Sequence, residues 1–280
     1  MKYVLFNASS NNKQGEKAAD ALIAKTGDAK KLSVIGLDYV GFLGKLGASD
    51  EVYLVGGDGT LNIFANAVYG KKIAPALYFC PAGSGNDFMN DVQADVKDGP
   101  VDLKKYIKNL PIVIVNGEER RFINGIGFGL DGVCCEIGDE KRAESDKPVN
   151  YSAIAVKLLL FKYKPRNATV TVDGKTIELK NVWIAPSMKG RYYGGGMMVA
   201  PRQDRFAEDG SLTFVGISSK CRLKVFMAFP KIFSGKHENN PMVTMMRGKE
   251  ITVKFDAPCA LQVDGETFLN VTEYTVKADK

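Results

Sequence analysis

The sequence predicts two domains of different class. Residues 1–111 read as an α/β nucleotide-binding domain on a parallel sheet, and residues 112–272 as an antiparallel β-sandwich domain. Three observations carry this. Apolar runs alternate with helix-like stretches up to Pro111. Two glycine-rich loops, Gly56–Thr60 and Pro81–Phe88, each follow one of those runs. Beyond Pro111, short apolar runs are punctuated by the turn pairs Asn116-Gly117, Asp173-Gly174, Asp209-Gly210 and Asp264-Gly265, which are hairpin signals. A chain of 280 residues fits about two domains, and it can bury a core without disulfide or metal staples.

In the first domain Tyr3–Phe6 is the first strand, ending in the polar loop Asn7 to Asn12, with a helix over Glu16–Lys25. Leu32–Ile35 reads as a strand and Leu37–Leu46 as a helix, although Gly41 and Gly44 weaken it. Val52–Val55 is a buried strand running into Gly56-Gly57-Asp58-Gly59-Thr60, after which Leu61, Phe64, Ala65 and Val68 recur at helical spacing. Ile73–Phe79 is a further buried strand. Strand, glycine turn and helix bring a backbone close to phosphate. Glycines leave room for a ligand at the peptide N–H groups, and the helix start offers unpaired donors and a favourable dipole. In parallel sheets ligands bind beyond the carboxyl ends of strands, and both glycine loops occupy that position. Asp58 is the odd member, since a carboxylate beside phosphate requires a cation between them.

In the second half Ile112–Val115, Arg121–Ile126, Ala168–Val172, Val182–Ala185, Leu212–Ile217, Ile251–Phe255 and Leu261–Val263 read as strands. Two stretches interrupt them. Asn150–Lys164 is a helix, apolar nearly all round with Lys157, Lys162 and Lys164 at its edges, which packs in a core or lies on lipid. Arg222–Lys236 carries Phe226, Phe229 and Phe233 and admits the same two readings.

Composition removes several classes of function. His237 is the only histidine, which excludes two-histidine metal motifs. Five cysteines without a CxxC pair argue against a disulfide framework or a thiolate zinc site, and fit a cytoplasmic protein. The apolar run after Met1-Lys2 is too short for a signal-peptide core, and no run reaches the ~18 residues of a membrane span. A net charge of +6, spread along the chain, permits attraction to anionic lipid or nucleotide. Neither the GxxxxGK[ST] loop nor a GxGxxG fingerprint after the first strand is present.

The two glycine loops, GGDGTLN at Gly56–Asn62 and PAGSGNDF at Pro81–Phe88, resemble those of the diacylglycerol kinase catalytic family, which includes bacterial lipid kinases and sphingosine kinases. INGIGFGLDG at Ile123–Gly132, YYGGGMMVAP at Tyr192–Pro201, AEDGSLTF at Ala207–Phe214 and LQVDGE at Leu261–Glu266 extend the resemblance, in order, over nearly the whole chain. It implies ATP- and Mg²⁺-dependent phosphorylation of a lipid hydroxyl, with diacylglycerol or a related lipid as acceptor at a membrane surface. Asn7, Gly56, Gly57, Asp58, Gly59, Thr60, Asn62, Gly83, Ser84, Asn86 and Asp87 would then serve the nucleotide. Glu266 would be the general base, and Asp58 would hold a catalytic Mg²⁺. Asp209, with the carbonyls of Phe206 and Ser211, would bind a structural Mg²⁺. The last strand, Tyr274–Lys277, would return to the first domain over 273–280.

The resemblance also implies peripheral attachment at the inner membrane face and no nucleic-acid partner; a homodimer is compatible with it. One departure concerns the first loop. The family has Asn-Pro-x-Ser-Gly, whereas Asn7 is followed here by Ala8, Ser9, Ser10 and Asn11, without the proline-set turn. Three alternatives stay open. Val263-Asp264-Gly265-Glu266 is also a plain hairpin turn, with a twin in Val172-Asp173-Gly174-Lys175. An NAD kinase-like transfer, or a catalytically idle nucleotide- or lipid-binding module, would share part of the pattern.

Overall fold

The computed structural model describes every residue except 9, 11–13, 84, 93–98, 146–148 and 280. Its contacts divide the chain into Met1–Leu110 and Pro111–Lys280.

In the first unit β1 (Lys2–Phe6), β2 (Lys30–Ser33), β3 (Glu51–Gly56), β4 (Ala76–Pro81) and β5 (Val101–Asp102) form one sheet in the order β2-β1-β3-β4-β5. β1 to β4 are parallel and the short β5 is an antiparallel edge. Helices α1 (Gly15–Thr26), α2 (Tyr39–Leu43), α3 (Asp58–Val68) and α4 (Asp87–Val92) follow β1, β2, β3 and β4 in turn. Val52–Val55 of β3 are buried on both faces, as a central parallel strand requires. β2 lies earlier than the apolar run Leu32–Ile35 suggests. It is an edge strand with three of four residues exposed, so hydrophobicity does not mark it. α2 is shorter than expected; the Asp38 carboxylate caps its start by accepting the Gly41 amide at 3.0 Å, and the chain turns at Gly44.

The second unit holds β6 (Ile112–Val115), β7 (Glu118–Arg121), β8 (Gly125–Phe128), β9 (Arg166–Val172), β10 (Lys175–Ile184), β11 (Ser187–Met188), β12 (Leu212–Ser218), β13 (Val243–Gly248), β14 (Glu250–Val263) and β15 (Glu266–Lys277). Among the described residues they form one ten-stranded antiparallel sheet, ordered β7-β6-β15-β14-β8-β11-β12-β10-β9, with β13 on β12. β14 also pairs with β9, which closes the sheet into a ring. The antiparallel β architecture therefore stands, but the two faces of the expected sandwich belong to one curled sheet. Alternation in sequence reports one buried face and cannot distinguish these cases. Phe128 stacks on Phe255 at 4.0 Å inside this core. Tyr274–Lys277 belongs to the second unit. It is the end of β15, where Tyr274 to Lys277 pair with Val115 to Ile112 of β6.

Among the described residues three helical runs accompany this sheet: α5 (Leu130–Glu144), α6 (Tyr151–Lys157) continuing into a π-helical turn Leu158–Lys162, and α7 (Arg222–Ala228) continuing into a 3₁₀ turn Phe229–Ser234. α5 is a helix that the sequence conceals, because its inward face includes Asp131, Gly132 and Gly138. A Cβ on Gly132 would overlap the Ala260 carbonyl, and one on Gly138 would overlap the Tyr151 ring. Ile154, Leu158, Leu159 and Tyr163 are buried, so the expected Asn150–Lys164 helix does pack in the core. Its last carbonyls, which a helix end leaves unpaired, are capped from α7. The Arg222 guanidinium donates to Leu158 O, Leu159 O and Tyr163 O at 3.1, 2.6 and 2.7 Å. Among the described residues no helix is long and apolar enough to cross a membrane.

Candidate functional site

The carboxyl ends of β1, β3 and β4 carry most of the residues expected at the nucleotide. Gly56 ends β3, Gly57 is the N-cap of α3, and Asp58 is already its first residue. The GGDGT segment is thus a strand-to-helix junction, with the helix N-terminus at its centre. Asn7, directly after β1, donates from Nδ2 to Thr60 Oγ1 at 2.9 Å, and its amide donates to Val55 O at 3.2 Å. Asn7 therefore ties β1 to this junction although the proline of the family pattern is absent. Asn62 is buried in α3 and accepts the Asn66 side-chain amide at its carbonyl, 3.0 Å away.

The two glycine loops touch through their backbones. A Cβ on Gly57 would lie 3.1 Å from Gly83 Cα, and one on Gly83 would lie 2.6 Å from Gly57 Cα. Gly59 is different, because a Cβ there would meet nothing within 4 Å. Packing thus explains glycine at positions 57 and 83 but not at 59, where the open space leaves the first turn of α3 approachable. The two substitutions should separate accordingly. Gly57→Ala should lower stability by about 1–3 kcal/mol through overpacking. Gly59→Ala should leave the melting temperature unchanged or raised, since alanine suits a helix better by up to ~1 kcal/mol, yet should weaken ATP binding in calorimetry. Unchanged ATP affinity in Gly59→Ala would place the phosphates elsewhere.

Asp58 joins the loops chemically. Its Oδ2 accepts the Asp87 amide at 3.0 Å and its Oδ1 the Phe88 amide at 2.9 Å, so it holds the N-terminus of α4. Asp87 is itself buried. Asn86 sits at φ 51°, and its buried side-chain oxygen has no hydrogen-bond partner among the described residues. An unsatisfied buried acceptor suits a ligand that donates there. Ser84 lies outside the described residues.

In the second unit the Asp264-Gly265 turn is docked on the segment before β8. Asp264 accepts the amides of Ile123, Asn124 and Gly125 at 2.5, 2.9 and 3.0 Å. Gln262 Oε1 accepts the Gly265 amide at 2.7 Å. Arg120 Nη1 then holds Glu266 Oε2 at 2.6 Å, with the carboxylate half-exposed. The docking role of Asp264 was not visible in the sequence, although the twin turn gives the signal. Asp173, also at φ 46°, accepts the Lys249 and Glu250 amides in the same way. The two turns differ at the residue after the glycine: a carboxylate at Glu266, an ammonium at Lys175.

At the position where the resemblance implies a structural Mg²⁺, Asp209 and Ser211 are engaged in hydrogen bonds. Asp209 Oδ1 accepts the Ser211 amide at 3.0 Å and the Ser211 hydroxyl at 2.7 Å, and Arg247 Nη2 lies 3.6 Å away. The Ser211 carbonyl accepts from Gln203 Nε2 at 3.0 Å. Mg²⁺ needs several oxygens at about 2.0–2.1 Å in octahedral array, and two of these oxygens, Asp209 Oδ1 and the Ser211 carbonyl, already serve N–H and O–H donors. Among the described residues no group of three or more His, Cys, Asp or Glu is placed to hold a metal.

Asp131, at the start of α5, is buried with neither carboxylate oxygen in regular hydrogen-bond geometry. Burial pushes its pKa up to about 6, against weaker opposing help from its own amide, the Tyr193 hydroxyl and the Gly132 amide. A raised carboxylate pKa means that the folded state binds the proton more tightly than the unfolded chain. Its contribution is present below pH ~4 and is lost as pH rises through about 6, amounting to roughly 3 kcal/mol by neutral pH. Asp131→Asn should flatten that part of the stability profile and melt higher than the native chain at pH 7. A fall between pH 4 and 6 that persists in the variant would assign it to another group.

Beside α5, the second unit has a pocket of about 420 Å³, lined by Val133, Ile137, Leu158, Tyr163 and Cys259, with Lys162, Lys164 and Arg166 also in its wall.

Comparison with known proteins agrees with the fold of the two units. The family described as diacylglycerol kinase catalytic domain matches residues 2–114, and the one described as YegS C-terminal NAD kinase beta sandwich-like domain matches residues 124–276. A diacylglycerol kinase of Mycobacterium tuberculosis is 25% identical over 213 residues, which cover 74% of this chain and 67% of that protein. The crystal structure of a diacylglycerol kinase from Bacillus anthracis has the same fold. Its TM-score is 0.65 at 20% identity, over 100% of this chain and 94% of that one.

Proposed function

Because the chain belongs to the diacylglycerol kinase catalytic-domain family, we propose that it is an ATP-dependent lipid kinase. In this reading it transfers the γ-phosphate of MgATP to a hydroxyl of diacylglycerol or a related lipid. The observation that carries the nucleotide half is the junction at Gly57–Gly59. There an approachable helix N-terminus, tied to a second glycine loop by Asp58, lies at the carboxyl end of a central parallel strand. Phosphoryl transfer is mostly positioning and charge neutralisation. The amides at the start of α3 would bind phosphate oxygens, and Mg²⁺ would come with the nucleotide as part of the substrate, facing Asp58. Glu266 would take the proton of the acceptor hydroxyl, with Arg120 orienting its carboxylate.

The acceptor half is supported by the pocket beside α5, whose wall joins apolar side chains to Glu136, Lys162, Lys164 and Arg166 as an amphiphilic ligand requires, and by the surface around it. Val156, Phe161, Leu223 and Met227 are exposed, Phe161 by 76%. The segments 149–166 and 219–237 contain four and five basic residues and no acidic one. Basic residues around exposed apolar side chains fit an anionic membrane surface. Replacing Lys157, Lys162 and Lys164 by Glu should weaken binding to anionic vesicles at least about tenfold, from ~1 kcal/mol per charge. Unchanged binding would leave this surface without a membrane role. The reading as a whole is tested by label transfer from [γ-³²P]ATP to a panel of lipids in mixed micelles, with NAD alongside. Label in one lipid names the acceptor. Label only in NAD transfers the case to a soluble nucleotide acceptor, and ATP binding without label anywhere sinks the kinase reading.

A further inference from the structure

We infer that the Asp209 loop is locked by the Arg247 guanidinium, in the position where a structural divalent cation was expected. The observations form a circuit. Asp209 Oδ1 accepts both donors of Ser211 and faces Arg247 Nη2 at 3.6 Å. Arg247 Nε donates to Ser211 Oγ at 2.5 Å. The Ser211 carbonyl accepts from Gln203 Nε2 at 3.0 Å, and Gln203 Oε1 accepts the Thr213 hydroxyl at 2.6 Å. Thr213 of β12 pairs directly with Arg247 of β13, which brings the guanidinium back to the loop. Hydrogen-bond donors thus take Asp209 Oδ1 and the Ser211 carbonyl, two of the oxygens that a metal would use, and the positive charge is supplied covalently.

The surroundings point the same way. Lys189 is buried, within electrostatic reach of Asp204 and Asp209, and Lys249 also acts on Asp209. A divalent ion at Asp209 would share its surroundings with three side-chain cations, and the nearest, Arg247 Nη2, is already 3.6 Å from the carboxylate. A planar guanidinium satisfies a carboxylate and a hydroxyl together with fixed geometry, which a point charge does not.

The lock reaches the Glu266 turn. Arg205, in the same loop, is buried and donates to Ile123 O at 2.5 Å and Asn124 Oδ1 at 3.0 Å. The amides of Ile123 and Asn124 hold Asp264, two residues before Glu266.

The test uses the full chain without nucleotide, so that its outcome is independent of kinase activity. Melting is followed in EDTA and in millimolar Mg²⁺, and Mn²⁺ binding by electron paramagnetic resonance. The native chain should melt at the same temperature in both and bind no Mn²⁺ at this loop. Arg247→Met should melt several degrees lower and recover part of the loss with Mg²⁺, binding Mn²⁺ at least about tenfold more tightly than the native chain. Arg247→Lys keeps the charge and should stay insensitive to metal, which decides the matter even if the methionine variant does not fold. A native chain that loses melting temperature in EDTA overturns the inference. So does an Arg247→Met variant that melts normally, or one whose loss Mg²⁺ does not touch.

Discussion

Glu266→Gln should lower phosphoryl transfer by roughly 10²–10⁴-fold, the contribution expected of a general base, with ATP affinity and melting temperature nearly unchanged. The small structural effect follows from the site. The carboxylate is half-exposed and its pairing with Arg120 is a surface ion pair, which contributes about 0–1 kcal/mol. Asp264, not Glu266, docks the turn, through three amides. Lys175→Gln, at the matching position of the twin turn, should change neither rate nor stability. A Glu266→Gln enzyme with normal turnover would reduce the residue to a turn residue and leave the proton to another acceptor.

Asp58→Asn should abolish turnover and also damage the first domain. The resemblance alone suggests a variant that is inactive but intact, since the aspartate was expected to face only metal and phosphate. The structure corrects this. Both oxygens of Asp58 accept backbone amides at the start of α4. An asparagine offers one acceptor and turns an N–H donor toward the other amide. Leaving a partly buried amide unsatisfied costs about 1–3 kcal/mol, so the melting temperature should fall with the activity. ATP affinity should fall too, because the second glycine loop loses its tie to the first. Separate measurements of melting and of ATP binding check this. A variant that melts normally would mean that the two amides find water without penalty.

The first domain was legible because β3 is buried on both faces and reads as an unbroken apolar run ending in Gly56, and because the apolar β4 leads into the second glycine loop. The loops at Gly56 and Pro81 were found for that reason. The helix α5 was not, since glycine and aspartate form part of its buried face and leave no apolar period. The strand expected over Arg121–Ile126 is broken at Phe122–Asn124, where the chain instead offers amides to Asp264. Hydrophobicity carries no trace of such a carboxylate. The Asp209-Gly210 turn was found, but its partner Arg247 comes from a strand that the sequence did not mark. β13, Val243–Gly248, has only half-buried apolar residues.

Passage of phosphate from ATP to a lipid hydroxyl, with Glu266 as base, is tested most directly by one initial rate. It is that of labelled phosphate transfer from MgATP to diacylglycerol micelles, for the native chain and Glu266→Gln at matched ATP saturation. The native chain should yield labelled phosphatidic acid, and the variant a rate at least about a hundredfold lower. Equal rates, or a native chain that binds ATP and labels no lipid, would contradict the proposed reaction.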